Sequence, residues 1–344
     1  MTGVQTCALP IYFGASPIAA ASIGQVHKAT LRDGRTLAIK VQYPGVRESI
    51  DADVDNVATL LRVSGLMPRE LDIAALLVEA KRQLREEADY LREAAQMSAF
   101  ADLLAGDPRY RVPRPEPVLT TERVLAMEFV EGVGIEGLAE APQERRDAMM
   151  AALIALVLRE LFEFGLMQTD PNFANYRFDP SSGALVLLDF GAARPVPSEV
   201  SDGYRALLAA GLAGDRDAAR DAAIAAGFLS ATAAERHRDT IDRMIDVILG
   251  ELGREGPFDF GDRAFVTVLR DQGASVAADR ASWHLPPADL LFVQRKISGT
   301  ALLAARLKAR VDVRATVERF VGVGAIAEPS GGPPALDPMA ARDQ

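Results

Sequence analysis

Hydrophobic and polar positions along the chain change period several times, and each change predicts an element. From Gln25 to Leu31 and from Thr36 to Gln42, β-rich runs flank Asp33-Gly34, the turn signature of a hairpin. A helical period covers Val46 to Leu61, between Pro44 and Pro68, and a longer one runs from about Leu71 to Leu104 before Gly106. Pro113, Pro115 and Pro117 make Val112 to Val118 an extended connector. Arg123 to Val130 reads as a strand ending at Glu131-Gly132. Arg145 to Phe164 is a helix apolar nearly all round, hence buried, and Gly165 stops it. An apolar strand then delivers Asp189. Beyond Pro195 and Pro197 the period is helical over Ser201–Gly211, Arg216–Ala226, Ala233–Leu252, Asp262–Ala277 and Pro287–Arg310.

Strands first and helices after predict an α+β molecule. At 344 residues, 49% of them apolar, two lobes are expected rather than one unit. The boundaries expected are 16–131 for an N-lobe and 132–327 for a helical C-lobe. A net charge of −10 argues against generic nucleic-acid binding. The single cysteine, Cys7, excludes an intrachain disulfide and makes a reducing, cytoplasmic setting the default, with at most peripheral attachment at the inner face of a membrane. Met1 to His27 is charge-free, but Pro10, Pro17 and many polar residues interrupt it, so it is not read as a spanning helix. Residues 1–15 resemble neither a signal peptide nor a folded beginning and are read as a truncated or non-native start. Glu328 to Gln344, rich in Pro, Gly, Ala and Asp, is expected to be a disordered tail.

The chemistry concentrates between Gln168 and Gly191. Asp170 and Asn175 stand five positions apart, and Asp189-Phe190-Gly191 follows the strand Leu-Val-Leu-Leu. Phosphoryl transfer needs one carboxylate to orient the nucleophile or accept its proton, and a second carboxylate with an amide oxygen to hold a divalent metal against phosphates. Asp-Pro-Asn is also ordinary turn chemistry, so the motif gains weight only from its strand and its partners. Asp259-Phe260-Gly261 repeats the letters without either and is read as a loop.

Upstream, Ala19-x-Ala21-x-x-Gly24-x-Val26 has the register of a kinase glycine-rich loop, with alanines for the first two glycines. Each added Cβ narrows backbone freedom and holds the backbone farther from phosphates. Lys40, in Leu-Ala-Ile-Lys, sits where a kinase keeps its phosphate-binding lysine. A helix glutamate must pair with that lysine, and Glu86, Glu87 and Glu93 compete for the role; spacing does not choose. Backbone groups of Glu128, Phe129 and Val130 are candidates for an adenine edge. His237, Trp283 and His284 lack partners at metal-ligand spacing and are assigned to packing or surface.

These motifs carry a resemblance. A-A-A-S-I-G-Q-V-H, L-A-I-K at Leu37 to Lys40, L-R-E-E-A-D-Y-L-R-E-A, L-M-Q-T-D-P-N-F-A-N at Leu166 to Asn175 and L-L-D-F-G-A are similar to the UbiB (AarF/ADCK) family of atypical kinases, nearest its coenzyme-Q branch, over roughly Ser16 to Val323. The resemblance implies an atypical, two-lobe protein-kinase-like fold. It implies that Ala19, Ala20, Ala21, Ser22, Gly24 and Val26 cover a nucleotide and that Lys40 binds its phosphates, paired with Glu93. Glu87 and Asp89 would form the family's Glu-x-Asp pair, Asp170 the catalytic aspartate, and Asn175 and Asp189 the Mg²⁺ ligands. ATP or ADP and Mg²⁺ are the implied cofactors. Implied partners are a lipid or membrane surface and ubiquinone-biosynthesis proteins.

One departure stands out. The family's Lys-x-Gly-Gln helix, whose lysine faces the Glu-x-Asp pair, has no counterpart anywhere in the sequence. Two functions follow from the reading: an ATPase or kinase acting on a small or lipid-like acceptor, preferred because Asp170, Asn175 and Asp189 are all present, or a nucleotide-gated regulatory or lipid-binding module without turnover. Protein kinase activity on another protein is disfavoured, since no Ala-Pro-Glu segment closes an activation loop.

Overall fold

Gly34 takes a φ of +89°, which glycine enters without steric cost, and the chain reverses there to pair β3 (Gly24–Leu31) with β4 (Thr36–Gln42). The structure, a computed structural model, describes residues 10–63, 74–262, 264–279, 282, 284 and 286–322. Within it β1 (Pro10–Phe13) and β2 (Ala19–Ala21) both pair with β3, and β6 (Val124–Glu128) closes the first sheet against β4. Lys40 therefore lies mid-sheet, with Val26 beside it on one strand and Leu125 on the other.

Between β4 and β6 lie α1 (Val46–Val63), α2 (Ala74–Glu87) and α3 (Tyr90–Leu103). The single helix expected from Leu71 to Leu104 is broken at Asp89. That residue is extended, and its carboxylate accepts the amides of Leu91 and Arg92, capping α3 as a new helix. Restarting the helix turns Tyr90, Glu93, Met97 and Phe100 inward at intervals of three and four.

The second sheet draws one strand from ahead of β6 in the chain. β5 (Tyr110–Arg111) pairs in parallel with β10 (Leu185–Leu187), which continues through β9 (Tyr176–Phe178) to β7 (Val133–Gly134). The buried helix α4 (Gln143–Arg159) runs into a π-helical turn, Glu160–Phe164, and stops at Gly165, whose φ is +58°. β8 (Leu166–Gln168) then pairs with β11 (Ala193–Pro195), bracketing both motif loops.

Helices complete the lobe: α5 (Ser198–Ala213), α6 (Arg216–Ala225), α7 (Ala231–Arg236), α8 (Arg238–Leu252), α9 (Ala264–Ala278), α10 (Ala288–Arg306) and α11 (Val313–Val321). The helix expected over Ala233–Leu252 divides at His237, whose ring bonds Asp279. Nor is the second Asp-Phe-Gly wholly a loop. Phe258–Asp259 forms β12 against β13 (Arg310–Val311), and Asp259 then accepts the Gly261 amide and bonds Arg310. His284 contacts the Gly227 carbonyl. Trp283, Cys7, most of the expected non-native start and the expected tail lie outside the described residues. Among the described residues no helix is long and apolar enough to cross a membrane.

One hydrophobic cluster runs through both lobes. Ala38 and Leu125 of the first sheet, Tyr90 and Phe100 of α3, Leu153 of α4 and Leu185 of β10 all belong to it.

Gly24 shows how closely the first sheet is packed at this point. A Cβ there would lie 2.2 Å from the Val41 carbonyl oxygen on β4. Gly24→Ala is expected to destabilise the fold by roughly 1–3 kcal/mol, the usual range for overpacking, read as a lower urea midpoint at unchanged slope; an unchanged midpoint would show that the strands yield freely.

Candidate active site

Lys40 projects from the middle of the first sheet into a buried junction of three elements. Its Nζ donates to both Glu93 oxygens at 2.9 and 3.0 Å and to Asp189 Oδ2 at 3.0 Å. The Tyr90 ring lies 5.1 Å away. Of the three competing glutamates, geometry selects Glu93, on the first turn of α3 and fully buried. Glu86 instead pairs with Arg82 on its own helix. Glu87 is half-buried and sits near Asp170 and Asp189, and burial followed by those two carboxylates raises its pKa. Asp89, two residues on, caps α3 through Oδ1, which accepts the amides of Leu91 and Arg92.

Asp189 is held in place from α3. Its Oδ1 accepts the Gly191 amide at 3.0 Å, the buried Phe190 packs on Phe100 with ring centroids 4.9 Å apart, and Arg92 donates to the carbonyls of Gly191 and Ala193. The turn cannot swing without breaking charge-assisted hydrogen bonds.

Asp170 and Asn175 are brought together by the loop after β8. Asn175 Nδ2 donates to Asp170 Oδ2 at 2.9 Å. Asn172 caps the intervening turn through the Ala174 amide. Thr169 anchors the loop's start to the Ala192 carbonyl, and the Leu188 amide bonds the Asn175 carbonyl at its end. With its amide nitrogen engaged, Asn175 keeps Oδ1 as an acceptor for a cation.

The alanine segment pairs closely along β3, Ala19 opposite Val26 and Ala21 opposite Gly24, and Ser22 sits at the exposed hairpin tip. Among the residues considered for an adenine edge, the Glu128 amide donates to the Arg114 carbonyl and the Phe129 amide to Thr36. Those two donors are in use, which leaves carbonyls and the Val130 amide.

Two residues at the site escaped the pattern reading. Arg295 of α10 donates from Nη2 to Asp170 Oδ1 at 2.8 Å. Lys296, its neighbour, is buried beneath the loop. The available signal was a lysine on the apolar stripe of Leu290, Val293 and Leu303, where a packed helix rarely tolerates an unpaired charge. Lys40 and Arg295 thus face four carboxylates, Glu87, Glu93, Asp170 and Asp189, an excess of negative charge that suits a divalent cation. Among the described residues no group of three or more His, Cys, Asp or Glu could hold a metal alone. Mg²⁺ fits that pattern, since it is commonly held by one or two carboxylates together with substrate phosphates.

A strand lysine locked to a helix glutamate, opposite an Asp and Asn loop and an Asp-Phe-Gly turn, defines the protein-kinase-like class of folds. Within that class the chain belongs to the ABC1 atypical kinase-like domain family, which matches residues 11–223. It is 41% identical over 303 residues to atypical kinase COQ8B, mitochondrial, of Rattus norvegicus, covering 87% of this chain and 56% of the rat protein. It is 36% identical over 303 residues to atypical kinase COQ8, mitochondrial, of Saccharomyces cerevisiae, covering 87% of this chain and 60% of the yeast protein. The chain thus spans little more than half the length of these relatives. The solved complex of Rv3197 with erythromycin from Mycobacterium tuberculosis matches with a TM-score of 0.69 at 27% identity, over 91% of this chain and 78% of that one. The resemblance read from the motifs and the kinase-like α+β fold are both borne out.

Burial, with the Asp189 carboxylate second, pushes Glu93 up to about 7 despite the neighbouring Lys40. Lys40 itself stays protonated, because the attraction of Glu93 and Asp189 together exceeds the cost of burying it. A folded chain that keeps a proton on Glu93 which the unfolded chain releases near 4.5 gains stability below that value and loses it as pH rises through about 7. The Lys40 contribution is constant over this window. The melting temperature of the wild type minus that of Glu93→Gln should therefore fall as pH is raised from about 5 to about 8. A flat or rising difference would contradict the assignment.

Proposed function

We propose that this chain binds ATP or ADP with Mg²⁺ between its lobes and turns ATP over, as an ATPase or as a phosphotransferase to a small or lipid acceptor, in support of ubiquinone (coenzyme Q) biosynthesis. The observation that carries this reading is the simultaneous contact of Lys40 with Glu93 and Asp189, beside an Asp170 bonded to Asn175. In this reading Ala19, Ala20, Ala21, Ser22, Gly24 and Val26 cover the nucleotide, Lys40 meets its phosphates, and carbonyls near Glu128 and Phe129 with the Val130 amide face the base. Asn175 and Asp189 would hold Mg²⁺, which neutralises developing phosphoryl charge. Asp170 orients the attacking hydroxyl or water and accepts its proton. The alanine Cβ atoms keep the hairpin backbone off the phosphates, so the grip there is looser than a glycine loop provides.

The names of the rat and yeast relatives support the coenzyme-Q setting. We place the protein peripherally at the face of a membrane, with isoprenoid-lipid precursors and ubiquinone-pathway proteins as partners. A cytoplasmic setting, on the inner face of that membrane, follows the single-cysteine composition. A second reading, a nucleotide-gated module without turnover, draws on one feature: Arg295 and Asn175 occupy both oxygens of Asp170.

Mg²⁺-dependent release of ADP from ATP distinguishes the two. Asp189→Asn should lower turnover by about 10²–10³-fold, the size of effect seen when one group stabilising transition-state charge is removed. Anionic liposomes carrying a phenolic quinone-precursor mimic should stimulate the unaltered chain. Tight Mg²⁺–nucleotide binding with no hydrolysis, lipid present or absent, would leave only the gated module.

A further inference from the structure

Lys296 is 1% exposed and has three polar partners, drawn from separate stretches of chain. Its Nζ donates to Gln168 Oε1 at 3.1 Å and to the Tyr176 hydroxyl at 3.0 Å. Glu160 Oε2, on the π-helical turn, lies 3.4 Å away and supplies the opposite charge. Gln168 is two residues before Asp170, and Tyr176 is the residue after Asn175. One ammonium group therefore ties down both ends of the segment that carries Asp170 and Asn175.

The same helix face makes two further contacts with that segment. Arg295 bonds Asp170. One turn on, Gly299 lies against Pro171 so tightly that a Cβ would meet the proline ring carbons at 2.2 and 2.3 Å. A cavity of about 10 Å³, at the lower limit for one water, separates the Lys296 cluster from Asn175 and Asp189. The cluster thus backs directly onto the metal-facing side chains.

We propose that Lys296 is a positioning residue: through Gln168 and Tyr176 it fixes the span from Asp170 to Asn175, so that both side chains stand ready before nucleotide or metal arrives. Burying a cation is costly unless it is fully partnered. A loop that needs only to be covered would be served by leucine. Two donor hydrogens matched to Gln168 and Tyr176, with the Glu160 carboxylate 3.4 Å from the same nitrogen, set distances that an apolar side chain cannot. Gln168 ends β8 and Tyr176 begins β9, strands paired in two separate sheets with β11 and β10, and the lysine bridges the two ladders across the loop between them. Lys296 touches no substrate; it acts through the loop.

The inference rests on the reading of Asp170 and Asn175 as catalytic and metal-holding, and its test has one arm independent of that reading. Lys296→Met alone strands Glu160 in the interior, so it is paired with Lys296→Met/Glu160→Gln, which removes both charges together and should fold. Hydrogen exchange is followed by mass spectrometry over 169–176 in protein free of nucleotide and metal. Exchange there should quicken by about tenfold or more in the double variant, with α4 and the first sheet unchanged, as expected for a local opening. Titration with a fluorescent ATP analogue is then run with and without Mg²⁺. Binding without metal should stay within about twofold of wild type, while the gain on adding Mg²⁺ should be lost, as expected when only the preorganised, metal-holding geometry is disturbed. Tyr176→Phe, which releases one end only, should show the same changes in smaller degree, and it decides the matter alone if the charge variants do not fold. A folded double variant, or Tyr176→Phe in its place, with unchanged exchange over 169–176 overturns the proposal. If wild type shows no Mg²⁺-dependent gain, the proposed function fails while the exchange arm still settles the role of Lys296.

Discussion

A single buried ammonium, that of Lys40, joins the three parts on which the site depends. It links the first sheet through β4, α3 through Glu93, and the second lobe through Asp189. Desolvating a charge in such a place is tolerable only with several good partners, and loss of one typically costs about 3–5 kcal/mol because the remainder is left buried and unmatched. The constraint propagates outward. Asp89 must end one helix and start another so that Glu93 can face inward, and Arg92 and Phe190 must hold the Asp-Phe-Gly turn so that Asp189 arrives within hydrogen-bonding distance of the lysine.

Much of this was legible in the chain. The hairpin limits, the strand toward the hinge, the buried helix stopped by Gly165 and the paired motif loops all follow from period and punctuation, because local preference and tertiary environment agree there. What was not legible depended on competition within a segment or on contacts distant in sequence. The apolar period ran unbroken through Asp89, and only the capping geometry shows that its carboxylate prefers two helix-start amides to a place in the helix. The choice of Glu93 over Glu86 and Glu87 required the direction in which α3 emerges from that break. Asp89 and Glu87 could not be separated by letters alone, yet one caps a helix and the other lies near Asp170 and Asp189.

The contribution of α10 illustrates a different limit. Arg295 and Lys296 lie about 120 residues from the loop they support, and nothing in local pattern says which distant element a helix will meet. Lys296 did leave a trace, a cation on an apolar stripe. Such a residue within a buried face calls for a partner, and the partners here are a π-helical turn and the two borders of the Asp and Asn loop.

The shared core has a consequence for how the molecule can move. Tyr90, Met97 and Phe100 of α3 are sealed into the same cluster as Met149, Leu153 and Leu185 of the second lobe, and close-packed interiors do not shear by degrees. A helix so embedded does not readily swing outward to separate lysine from glutamate, so their contact is a fixture of the fold even as Glu93 gains or loses its proton. Freedom is left to the edge of the first sheet, where two exposed alanines, a half-buried third and an exposed serine tip form a hairpin held by a few backbone bonds. If a nucleotide is held beneath this hairpin as proposed, its admission and release become the work of a light flap over a rigid floor, on the timescale of a loop and not of a domain.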